Sequence, residues 1–103
     1  MKQYANDDLG VSFALKEEFT VREMLNFRSR IWNVEVEEGD GFNIRYWMAA
    51  RPLIQDWECE AIPDPMAFDL DSAGSWRLAN IVGWVSDTVA AHIAELDDVP
   101  KNT

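Results

Sequence analysis

A run of acidic side chains is the first feature of this sequence whose residue types are capable of chemistry. Asp56, Glu58 and Glu60 alternate with Trp57 and Cys59, and paired carboxylates can carry out general acid–base catalysis. The sequence places no base, nucleophile or metal-binding side chain close to them. In a helix, the first and last of these carboxylates are four residues apart and share one solvated face. We therefore interpret the run as a solvated surface.

A second candidate is the segment 69–74, which imitates the start of a calcium-binding loop. Asp69, Asp71 and Gly74 occupy the first, third and sixth positions of such a loop. An EF-hand also requires an oxygen ligand at its fifth position and a glutamate at its twelfth. This chain has Ala73 and Asn80 there, so we interpret the segment as a turn that leads into a helix.

The single histidine and the single cysteine lack the neighbours that a catalytic site would need. His92 lies beside the apolar stripe of the last predicted helix, where we expect a residue at the edge of the core. Cys59 lies between carboxylates that disfavour a thiolate, so we expect a small buried apolar group. Because the chain also lacks a phosphate loop, a dinucleotide fingerprint, zinc-ligand spacing and a nucleophile elbow, we predict no enzyme, cofactor or metal.

Composition and charge exclude several classes of partner. The chain has 19 acidic and 9 basic residues and a formal net charge of -10, which opposes binding to nucleic-acid phosphates and to anionic membrane surfaces. Its longest apolar run, Tyr46–Ala50, is far shorter than the ~20 residues that a membrane helix needs. A lone cysteine forms no internal disulfide and fits a reducing compartment. We therefore expect a cytoplasmic protein.

Local patterns position these residues on helices. Thr20–Glu23 is a capping box, and Phe19 and Met24 flank it as a hydrophobic staple, which predicts a helix to about Trp32. A second helix is predicted from residue 42 or 43, through the stripe that ends at Trp57, with a kink or break at Pro52.

The last helix is predicted to begin after Ser72 or Ser75 and to end near Pro100. Residues 33–41 are predicted to form a loop, and Val11–Leu15 a short strand or an extended arm. We thus predict an all-α or mainly α single domain over residues 1–103, with about three to four helices and with 1–10 and 100–103 flexible.

Tryptophan is the unusual component, since the chain has five and not all of them fit in the centre of so small a core. Trp is enriched at protein interfaces, whereas the structural alternative is that most indoles lie at the edge of the core. We name four candidate interface residues: Trp32, Trp47, Trp57 and Trp76.

Three segments carry a resemblance to a known family. Phe19–Arg30 is similar to a T-V-R-E/Q-x-L-x-x-x-S/R opening helix, Trp47–Cys59 to a central helix that ends in a D/E-W pair, and Asp69–Asp71 to an acidic turn before a last amphipathic helix. Together they resemble the tail assembly chaperones of long-tailed double-stranded-DNA bacteriophages.

The resemblance implies a helical, self-associating protein of the host cytoplasm that is absent from the mature virion. It implies binding to the tape measure protein and recruitment of tail tube subunits. A rival hypothesis is an acidic DNA mimic that inhibits a host nuclease or restriction system, and a small enzyme ranks third. The mimic requires carboxylates spaced like phosphates along one face, whereas the acidic residues are scattered among loops.

Overall fold

The computed structural model describes residues 1–33 and 42–97. Within them the chain forms a three-stranded antiparallel sheet and three α-helices, with a short 3₁₀ helix at Arg51–Leu53. The predicted loop at 33–41, apart from its first residue, and the predicted flexible end at 100–103 lie outside the described residues. The elements follow in the order β1 (Lys2–Asn6), β2 (Val11–Leu15), α1 (Val21–Asn33), α2 (Phe42–Ala50), β3 (Gln55–Cys59) and α3 (Trp76–Asp97).

The prediction of an all-α fold is wrong, because the described chain is a mixed α+β domain. Part of the error lies at the N-terminus, where Lys2–Asn6 was expected in a flexible tail and instead forms β1. This strand pairs with β2 in register from Lys2 opposite Leu15 to Asn6 opposite Val11. An edge strand can be polar on its solvated side, so its composition resembles that of a tail.

The second correction concerns Gln55–Cys59, which was predicted to continue a helix and instead forms β3 beside β2. Pro52 ends the α-helix as expected, since α2 stops at Ala50 and a 3₁₀ turn follows. Beyond that point Trp57 and Cys59 are half-buried, while the carboxylates that alternate with them, Asp56, Glu58 and Glu60, are exposed. This alternation is typical of a strand with one buried face.

The core lies between the central strand and the two later helices. Phe13 and Leu15 of β2 are fully buried, as are Trp47 of α2 and Val85 of α3. The Trp84 ring on α3 and the Phe13 ring form a T-shaped pair at 5.7 Å between centroids, so α3 lies against the sheet. The same helix packs along α2, and α2 in turn carries α1 on its outer side.

The predicted starts of α1 and α3 are confirmed, whereas the predicted end of α3 near Pro100 lies outside the described residues. The Thr20 hydroxyl accepts the Glu23 amide at 3.1 Å, and the Glu23 carboxylate accepts the Thr20 amide at 2.9 Å. At α3, Ser75 is the cap, because its hydroxyl accepts the Leu78 amide at 3.2 Å.

None of the helices in the described ranges combines the length and apolar character that crossing a membrane requires.

Candidate protein-binding groove

The carboxylates at 56–60 lie on β3 and not on a helix, and they are exposed. Asp56 has a positive φ of 51° at an irregularity in the pairing with β2. Among residues 1–33 and 42–97, no group of three or more histidine, cysteine, aspartate or glutamate side chains is placed to hold a metal ion. These carboxylates form an exposed acidic run along β3.

His92 is buried and joins three parts of the chain. Its Nδ1 accepts the Tyr4 hydroxyl at 2.8 Å, and its Nε2 donates to the Lys16 carbonyl oxygen at 2.8 Å. The ring also packs edge-on against Phe19 and Tyr4. Both ring nitrogens are thus used to hold α3 to β1 and to the segment before α1.

The segment resembling a calcium loop is a hydrogen-bonded turn. The Asp69 carboxylate accepts the Asp71 amide at 2.9 Å, and the Asp69 carbonyl accepts the Ser72 amide at 3.1 Å. Such aspartate turns satisfy the backbone locally. The segment therefore forms the turn before α3 that the sequence predicts.

Two of the four candidate interface tryptophans lie in the core. Trp47 has no exposed surface, and its ring meets that of Trp57 at 6.4 Å between centroids. Trp57 is half-buried, and its indole N–H donates to the Ile62 carbonyl at 2.6 Å. The physical reason is that α2 and β3 place both rings towards the same hydrophobic cluster.

The other two candidates are largely exposed and lie on different helices. Trp32 is 64% exposed near the end of α1, and Trp76 is 84% exposed at the first residue of α3. The structure therefore does not gather the four tryptophans into one surface. Among the described residues, Trp32 borders a hollow that residues on other helices complete.

That hollow, which we call the α1–α3 groove, is an apolar depression lined by residues of α1, α2 and α3. It has a volume of about 250 Å³. Helix α1 forms one wall, α3 forms the other, and one side chain of α2 closes the floor between them. The lining residues are Met24, Phe27, Arg28, Ile31, Trp32, Tyr46, Ala90, Ile93 and Ala94.

The apolar surface of α1 extends beyond the part that the fold covers. Phe27 and Ile31 are buried, whereas Val21 is 73% exposed and Leu25 is 52% exposed. Val21, Leu25 and Trp32 recur at spacings of four and seven residues, which places them on one face of the helix. An uncovered apolar stripe therefore runs along α1 beside the groove.

Sequence reasoning missed this stripe because the capping box predicts where α1 begins but not which of its apolar positions the fold covers. The sequence did contain a sign of it. The apolar positions of α1 span an arc wider than one neighbouring helix covers. The width of that arc indicates a second apolar face on α1, although it does not determine which of the two faces is buried.

The opposite wall of the groove is shaped by small side chains. Ala90 and Ala94 are one helical turn apart on α3 and leave room between α3 and α1. Small residues at such spacing allow the backbone of another helix to approach closely. A groove of this form suits the apolar side chains of a helical segment.

The chain matches no known protein-family model, no curated protein and no solved structure. The resemblance to tail assembly chaperones therefore stands on the patterns at Phe19–Arg30, Trp47–Cys59 and Asp69–Asp71 alone. The middle pattern covers α2 and β3 in the structure, so it does not correspond to one continuous helix here. The groove itself is a feature of the tertiary structure.

Proposed function

We propose that this protein binds a helical segment of another protein in the α1–α3 groove and acts as an assembly chaperone. The observation that carries the proposal is the exposed apolar stripe of α1, Val21, Leu25 and Trp32, which continues the wall of the groove. Contiguous exposed apolar surface beside a concave site is typical of protein-binding sites. An amphipathic helix would bury both surfaces together.

The specific form of the proposal is a tail assembly chaperone of a long-tailed bacteriophage. In this role the groove would bind a helix of the tape measure protein, and the complex would recruit tail tube subunits in the host cytoplasm. The net charge of -10 would help to keep a long helical partner in solution, since high net charge favours solubility. Self-association would allow several copies to coat one partner.

A pull-down with a paired control tests the proposal. The tape measure protein of the same phage is co-expressed with the wild-type chain, with Trp32→Ala and with Trp76→Ala. Both substitutions remove an exposed indole, but only Trp32 lines the groove. We expect Trp32→Ala to weaken capture about tenfold or more, as truncation of an interface anchor does, while Trp76→Ala retains it.

Leu25→Ser and Met66→Ser form a second pair, because these side chains are 52% and 53% exposed and only Leu25 lies on the α1 stripe. Capture by all four variants at the wild-type level would contradict the groove as the binding site. Failure of the wild-type chain to bind any segment of the tape measure protein would contradict the chaperone role. Circular dichroism of each variant establishes that the fold is intact.

A further inference from the structure

We infer that the helix bound in the α1–α3 groove carries carboxylates beside its apolar face and that Arg28 pairs with them. The inference rests on the proposed function, since it names the chemistry of the partner at that same site. The inferred acidic partner is opposite to the partner that the net charge predicts, because a protein of net charge -10 attracts basic partners at long range.

The charge of the groove differs in sign from that of the chain. Of its nine lining residues, Arg28 is the one with a charged side chain. Arg28 is exposed and lies on α1 between Leu25 and Trp32, inside the apolar stripe. A helix docked on that stripe would bring its flanking residues against the guanidinium group.

A second arginine beside the stripe has the same sign of charge. Arg22 is exposed three residues before Leu25, whereas the one acidic residue of α1, Glu23, is already engaged. The Glu23 carboxylate accepts a hydrogen bond from the Lys16 ammonium at 2.6 Å and another from the Thr20 amide. The surface that α1 offers to a partner is therefore cationic.

The described side chains of α3 do not offset this charge inside the groove. Its residues there are Ala90, Ile93 and Ala94. Its carboxylates Asp87 and Glu95 line a different hollow, together with Lys2 and Tyr4 of β1. Among the described side chains, the acidic groups of α3 thus face the sheet edge and leave the positive charge of the groove uncompensated.

The expected size of the effect follows from the exposure of the pair. An exposed ion pair contributes less to the binding free energy than a pair that is hydrogen-bonded in a dry interior. Replacing an attractive charge by a repulsive one changes the binding free energy by about twice the energy of the pair. For exposed charges this corresponds to about a tenfold difference in Kd between an acidic and a basic partner helix. The difference should shrink as salt is added.

Two synthetic helical peptides test the inference. Each is about 18 residues long, five turns, with the same leucine stripe at i, i+3, i+4 and i+7. One has glutamate at the positions flanking the stripe, and the other has lysine. Fluorescence anisotropy at low salt gives the Kd of each for the wild-type chain, for Arg28→Glu and for the control Lys2→Glu, an equal charge change on β1 at a residue that does not line the groove.

We expect the wild-type chain and Lys2→Glu to bind the glutamate peptide about tenfold more tightly, and Arg28→Glu to prefer the lysine peptide. Equal binding of both peptides, or a lysine preference in the wild-type chain, overturns the inference and leaves the groove as a helix-binding site. Binding of neither peptide overturns both proposals. If neither peptide binds and sedimentation shows a stable dimer, a second copy of the chain occupies the groove. That result likewise overturns the inference.

Discussion

The substitution Gly83→Ala should stabilise the protein, although it alters the middle of its longest helix. Among the described residues, a Cβ built at Gly83 meets no atom within 4 Å outside the nearby backbone of its own helix, and this position in α3 is flanked by regular helix on both sides. Glycine inside a helix is about 0.8–1.0 kcal/mol less favourable than alanine. Because no neighbour has to move, we expect nearly the whole of that difference as a gain in the free energy of unfolding.

For a domain of this size, a gain of that magnitude corresponds to a rise in Tm of about 4–8 °C. Thermal melts followed by circular dichroism, together with urea titrations, measure it. The matched control is Gly10→Ala, since Gly10 has a φ of +68° and a Cβ there would lie 3.1 Å from Arg77 Nη2. We expect this variant to lose about 1 kcal/mol or more.

The same chemical change should thus act with opposite sign at the two glycines. A fall in Tm for Gly83→Ala would refute the reasoning. It would show that the open space beside Gly83 is filled in solution, for example by a second copy of the chain. The hollow at this position is lined by residues of α2, of α3 and of the turn before α3, so such a result would locate a contact.

Three further predictions concern α1 and the buried histidine. Thr20→Ala should cost about 1 kcal/mol in urea unfolding, since it removes the α1 cap; an unchanged midpoint would contradict that role. The Lys16 side chain and the Thr20 amide lower the pKa of Glu23, so its stabilising effect is complete above its ordinary value of 4.5 and is lost as pH falls through the lowered value. The Tm of Glu23→Gln should therefore lie below that of the wild type at pH 7 and approach it in acid; a constant gap would be the contrary result. His92→Phe should lower the free energy of unfolding by about 1–3 kcal/mol. Tyr4→Phe should cost less stability in the His92→Phe background than in the wild type, and a double-mutant cycle measures this difference.

The sequence alone determined the helices whose signals are local. The capping box at Thr20–Glu23 and the serine before Trp76 fix where α1 and α3 begin. Pro52 fixes where α2 ends. Each of these features acts through hydrogen bonds or steric contacts within about one helical turn, so neighbouring residues contain the necessary information.

The tertiary structure decided which short segments became strands. Gln55–Cys59 has a pattern that fits either a helix turn or a strand, and Lys2–Asn6 has the composition of a tail. Each segment becomes a strand because it hydrogen-bonds to β2. The partner of β3 is more than forty residues away in sequence, so no local pattern specifies the pairing.

The tertiary structure likewise decided which apolar side chains remain exposed. Trp47 and Trp32 are the same residue type on neighbouring helices, yet one is fully buried and the other is 64% exposed. The sequence indicated an excess of apolar and aromatic residues, but burial depends on what other elements cover. The α1–α3 groove exists because α2 packs against both α1 and α3 and covers only part of the apolar arc of α1, a relation among three segments that no single one of them encodes.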